Sequence, residues 1–266
     1  RTPCAVQRDL RRPRAVALSA EGPMSLALRV RGLQKSYGSH AVLKGVDLDV
    51  PTGVVFGLVG PNGAGKTTLF STVSGYLPQD AGAVEHFGVH TPPGGAPPKG
   101  TYSILPQDAA FLPTVNLGAQ LEFYGRLQGL SAKEAKSERA RVLDSVGLSE
   151  VARKKPAMLS HGMHKRVGIA QAFIGTPRLV ILDEPTAGLD PSAARQVRGL
   201  IRELSRASTV MVSSHNLKPT GDWLTTIKFQ EWALSIKWIV REPISSMFVR
   251  KFEKCSNPMH CRSYCQ

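Results

Sequence analysis

Apolar side chains alternate with polar ones between Leu26 and Val50, at Leu26, Leu28 and Val30 and again at Val46, Leu48 and Val50. A period of two is that of strands with one face buried, so this stretch predicts antiparallel strands, with Tyr37-Gly38 in the loop between them. Val54 to Val59 is apolar throughout and partly β-branched, which predicts a buried strand, followed by a helix from Thr67 to Val73. Residues 91 to 100 are built of Thr, Pro, Gly, Ala and Lys and predict a surface loop. Thr101 to Leu105 is a short strand candidate that ends at Pro106-Gln107. A helical zone comes next. Ser131-Ala132-Lys133-Glu134 spells a capping box for a helix to about Val146, stopped by Gly147. Ser160 is placed to cap a helix that ends near Gly175 and Pro177. Leu179 to Leu182 reads as an all-apolar strand running into Asp183-Glu184-Pro185. Asp190-Pro191 pairs a cap with proline at the first helical position, opening a helix to about Leu204. A last strand, Thr209 to Ser214, leaves His215 just past its end. Strands alternating with helices, with polar residues at strand C-termini, predict a parallel α/β sheet. No internal repeat is visible.

Composition adds limits. The 266 residues are 42% hydrophobic, enough for a core, and carry a formal charge of +14. That charge invites a nucleic-acid reading, yet no Lys/Arg run or aromatic-interleaved motif supports one, and no nucleic-acid partner is expected. Anionic lipid or nucleotide would suit it equally. No apolar run reaches the roughly 18 residues that span a bilayer, so a membrane role is expected to be peripheral. Residues 1 to 23 are arginine-rich without a continuous apolar segment and read as a disordered extension, and Met24 suits a start site. Residues 24 to 217 contain neither Trp nor Cys, which fits a reducing cytoplasm. All three tryptophans and three of the four cysteines lie beyond residue 217.

The chemistry is concentrated in Gly60, Pro61, Asn62, Gly63, Ala64, Gly65, Lys66, Thr67 and Thr68. Strand, G-x-x-x-x-G-K-T and helix in that order make a phosphate-binding loop. Its glycines let backbone N–H groups face phosphate oxygens at a helix N-terminus. Lys66 supplies charge for the β- and γ-phosphates of a nucleoside triphosphate, and the Thr67 hydroxyl is placed to ligate Mg²⁺.

The ordered set of Tyr37, Gly60–Thr67, Gln107, Leu159-Ser160-His161-Gly162-Met163, Leu179–Glu184, Gly188-Leu189-Asp190 and His215 resembles the ABC ATPases. More closely, over about residues 26 to 217, it resembles the nucleotide-binding subunit of an ABC exporter. Met163, where glutamine is commoner, leans toward the ABC-2 type, and His161 replaces a glycine. The resemblance implies an α/β P-loop NTPase: a RecA-like parallel core, an N-terminal antiparallel β subdomain and an inserted helical subdomain at about 108–175, all within 24–217. It also implies the roles. Asp183 holds Mg²⁺, Glu184 acts as general base, and Gln107 reaches metal and water. His215 contacts the γ-phosphate, and Tyr37 stacks on adenine. Ser160 and Gly162 meet the nucleotide of an opposite subunit, and Asp190 crosses the interface. A second ATPase subunit and a transmembrane permease are the implied partners, the latter touched by the Gln107 loop. The implied location is cytoplasmic, on the inner face of the cell membrane. The transported substrate is not legible.

The resemblance stops after Leu217, where Lys218-Pro219-Thr220-Gly221-Asp222 interrupts the next family helix. Residues 218–266 read as an atypical segment, which a frame change, an alternative end or a truncated gene product would explain. Cys255, His260, Cys261 and Cys265 lack the paired knuckles of a structural zinc site, and Trp232 to Val240 forms a weak amphipathic pattern. The rival readings are a non-transport ABC ATPase and an inactive fragment. One phosphate loop per chain, with no room for a coiled coil between Lys66 and Asp183, weighs against the former.

Overall fold

Four strands carry the predicted antiparallel half. Leu26–Tyr37 (β1) and His40–Pro51 (β2) form a hairpin, and Ala81–His86 (β4) and Val89–Thr91 (β5) extend it into a sheet of order β2-β1-β4-β5. The computed structural model describes residues 25–97 and 100–215, and the backbone of 237–240. The N-terminal extension, Met24, the tail cysteines and most of 218–266 therefore lie outside the described residues. Tyr37, expected in a loop, is the last residue of β1 and pairs with His40. Thr91 likewise closes β5, which shortens the expected loop by one residue.

The second sheet holds Val55–Val59 (β3), Tyr102–Leu105 (β6), Leu179–Leu182 (β7) and Thr209–Ser214 (β8) in the order β6-β7-β8-β3. These four are parallel neighbours, as predicted. Lys237–Val240 (β9) pairs antiparallel with β3 at the sheet's edge, so its backbone is a strand.

Why the strands read as unbroken apolar runs is plain from their two faces. Phe56, Leu58, Leu179, Ile181 and Met211 face one core, which they share with β1, β2 and the helix Lys66–Val73 (α1). Val55, Val180, Leu182, Val210 and Val212 face the other, built with His161–Ala172 (α4) and Pro191–Leu204 (α5). Alternate side chains point to opposite faces and both faces are covered, so β3 and β7 carry no polar side chain along their length. A third core joins Leu117–Leu127 (α2), Ala132–Ser145 (α3) and the inner side of α4. The predicted caps are in place: Ser131 with Glu134 on α3, Ser160 on α4 and Asp190 on α5. α4 ends at Ala172, a few residues before Gly175, with Phe173 as its buried C-cap.

Candidate nucleotide site

The parallel strands end together and hand their polar residues to one corner. β3 enters the glycine loop at Gly60, whose N–H donates to the Ser214 carbonyl at 3.1 Å. Gly63 and Gly65 have φ of 79° and 86°, a left-handed backbone that side chains resist. A Cβ on Gly65 would also stand 3.0 Å from Val42 Cγ1, so the loop lies close against β2. α1 has no side-chain cap, which leaves its first-turn N–H groups available to an anion. Lys66, only 5% exposed, donates through Nζ to the carbonyls of Gly60 at 2.8 Å and Pro61 at 3.0 Å. Thr67, in the same first turn, is exposed.

Asp183 and Glu184 follow β7 and are buried at 2% and 4% exposure. The register Leu182 opposite Val212 brings Ser213 beside them. Ser213 Oγ donates to Asp183 Oδ1 at 2.5 Å and accepts the Glu184 N–H at 2.7 Å. Glu184 itself has φ 46°, a costly conformation for a residue with a side chain. Its Oε2 lies 2.8 Å from His215 Nδ1. The other oxygen, Oε1, is buried without a hydrogen-bond partner, and the Lys66 ammonium stands 3.5 Å away as an ion pair. Among the described residues no Lys, Arg or His lies within ion-pair distance of Asp183, a buried carboxylate whose hydrogen-bond partner is a hydroxyl. A buried carboxylate partnered by a hydroxyl, and the exposed Thr67 hydroxyl in the first turn of α1, are hard-oxygen donors of the kind that suits Mg²⁺. Sequence reasoning missed Ser213. Its signal, a hydroxyl two residues before His215, has meaning only once β7 and β8 are paired.

Gln107 sits two residues past Leu105, whose carbonyl accepts the Asp183 N–H at 2.9 Å. Its side chain is exposed and makes no hydrogen bond among the described residues, while its carbonyl accepts from Lys165 Nζ at 3.1 Å. Tyr37 is half exposed at the hairpin end.

Ser160, Gly162 and Asp190 belong to a second place. They line a cleft of about 400 Å³ between the first turns of α4 and α5, with His161, Arg166 and Gln196. The Lys66–Glu184–His215 corner contributes no residue to it. Ser160 Oγ accepts the Met163 N–H at 3.3 Å. A Cβ on Gly162 would meet nothing within 4 Å, so the chain's own packing makes no demand for glycine there. The Asp190 carboxyl is held below the usual carboxylate range by the N–H groups of Ala193 and Ser192. His161 Nε2 lies 3.2 Å from where a Cβ on Gly188 would stand, so the imidazole packs on that loop.

The sequence profile of the ABC transporter family matches residues 43–187. The chain is 37% identical over 192 residues to the linearmycin resistance ATP-binding protein LnrL of Bacillus subtilis (strain 168), covering 72% of this chain and 62% of that protein. It is 35% identical over 198 residues to the daunorubicin/doxorubicin resistance ATP-binding protein DrrA of Streptomyces peucetius, covering 74% of this chain and 60% of that one. The chain thus spans about three fifths of the length of these relatives. In structure it is similar to MJ1267, an ATP-binding cassette of an ABC transporter. The TM-score is 0.65 at 27% identity, over 74% of this chain and 83% of that one.

Proposed function

The chain belongs to the ABC transporter family of ATP-binding proteins, and from that premise we propose that it hydrolyses ATP to drive a separate permease of the ABC-2 exporter type. Glu184 carries the reading: a buried carboxylate with one oxygen anchored on His215 and the other unbonded beside the phosphate-loop lysine.

In this reading the loop N–H groups and Lys66 hold the β- and γ-phosphates, and Lys66 leaves the loop carbonyls to do so. Thr67 and Asp183 hold Mg²⁺, with Gln107 in reach. When bound, the metal neutralises charge on the β- and γ-phosphate oxygens. Glu184 Oε1 takes the proton of the attacking water as its oxygen bonds to the γ-phosphorus. The bond to the bridging oxygen breaks, and ADP leaves with that electron pair. His215 fixes the glutamate through Nδ1 and offers its other nitrogen to the γ-phosphate. Tyr37 stacks on adenine.

Two chains pair head to tail, so that Ser160, Gly162 and Asp190 of one complete the site of the other. The exposed apolar side chains of Leu112, Phe123 and Leu127, on or beside α2, favour an apolar docking segment on the permease. The permease supplies the membrane crossing, since no described helix is long and apolar enough. In this reading the motor sits in the cytoplasm against the inner face of the membrane, where it meets the permease. Resistance in the names of LnrL and DrrA makes a drug-like cargo the reading for the pair.

Glu184→Gln tests the assignment. The expected result is a fall in ATP turnover of about 10²- to 10⁴-fold, with a dimer that persists in ATP on gel filtration. Turnover at the wild-type rate would show that another group is the base.

A further inference from the structure

We propose that Ser213 is a positioning residue of this site, orienting the metal-binding carboxylate of Asp183 and the backbone of Glu184 through one hydroxyl. The inference rests on the ATPase reading above. Ser213 is 1% exposed, so its hydroxyl has no access to solvent. The Glu184 N–H, 2.7 Å away, can only donate, which makes the Ser213 oxygen the acceptor there. The hydroxyl's single proton is therefore committed to Asp183 Oδ1 at 2.5 Å. Two consequences follow from that polarity. Asp183 accepts at Oδ1, which leaves Oδ2 as the oxygen not engaged by Ser213 and open to a cation or its water. Glu184 is pinned by its N–H in the left-handed backbone at φ 46°, the conformation from which its carboxylate reaches both His215 and Lys66.

A buried serine can also serve packing alone, and the two roles separate experimentally. The purified chain is titrated with Mn²⁺ by electron paramagnetic resonance in the presence of a non-hydrolysable ATP analogue. Analogue binding without metal is measured alongside, and thermal melting confirms folding. Ser213→Ala is expected to weaken Mn²⁺ binding about 10- to 100-fold, with metal-free analogue binding unchanged. Ser213→Thr keeps the hydroxyl and is expected to restore near wild-type metal binding. Wild-type Mn²⁺ affinity in the alanine variant, or a threonine variant as weak as alanine, overturns the proposal. If the alanine variant does not fold, Ser213→Cys against Ser213→Thr decides it, equal metal affinity in the two being the contrary result. Failure of the parent reading looks different: the wild-type chain would bind metal and nucleotide without turning ATP over.

Discussion

His86 shows how one buried side chain ties stability to pH. It is 1% exposed on β4, with Nδ1 2.9 Å from Thr91 Oγ1. Burial pushes its pKa down from 6.5 to about 4. Between those values the unfolded chain binds a proton that the folded chain refuses, so stability is lost as pH falls through that window. The expected loss from this group is about 2 kcal/mol between pH 7.5 and pH 5. Urea melts at the two pH values should show it, and His86→Gln should remove that part of the slope. At this same scale the site was legible unevenly. Lys66, Asp183 and Glu184 stand in fixed spacing within one local motif each. Ser213 does not, because its partners lie 30 and 29 positions away and meet it only through strand pairing.

Elements were legible where local chemistry decides them. The Ser131–Glu134 capping box is reciprocal, with Glu134 N–H to Ser131 Oγ at 3.3 Å and Ser131 N–H to Glu134 Oε2 at 2.9 Å. Ser131→Ala is expected to cost about 1 kcal/mol, read as a lower urea midpoint at unchanged slope. Gly118 and Gly125 interrupt the apolar pattern of α2, so its stretch of sequence carries a weaker helix signal than α3. Both are there for packing: a Cβ on Gly118 would stand 2.7 Å from the Ala152 carbonyl, and one on Gly125 would stand 3.1 Å from Ala135 Cβ. β4 and β5 carry a weak sequence signal for a different reason. They are short, and β4 is stabilised by pairing with β1, a contact between distant parts of the chain.

On the scale of the whole molecule, three cores divide the labour. Two clamp the parallel sheet from opposite faces, and the third holds α2 and α3 against α4. Strand ends thereby become the place where polar groups gather, and both the sheet class and the phosphate loop were readable from that logic. The cleft that holds Gly162 shares no lining residue with the corner that holds Lys66. In a head-to-tail pair this separation permits genetic complementation. A Lys66→Ala chain retains an intact cleft, and a Gly162→Asp chain retains an intact phosphate loop in a fold with room for the new side chain. Each variant alone should be dead. Mixed at equal amounts, they should regain up to about a quarter of wild-type ATP turnover, since half the random pairs carry one whole site of two. A mixture as inactive as its parts would count against sites shared between subunits. Recovery would mean that two broken chains can lend each other what neither has.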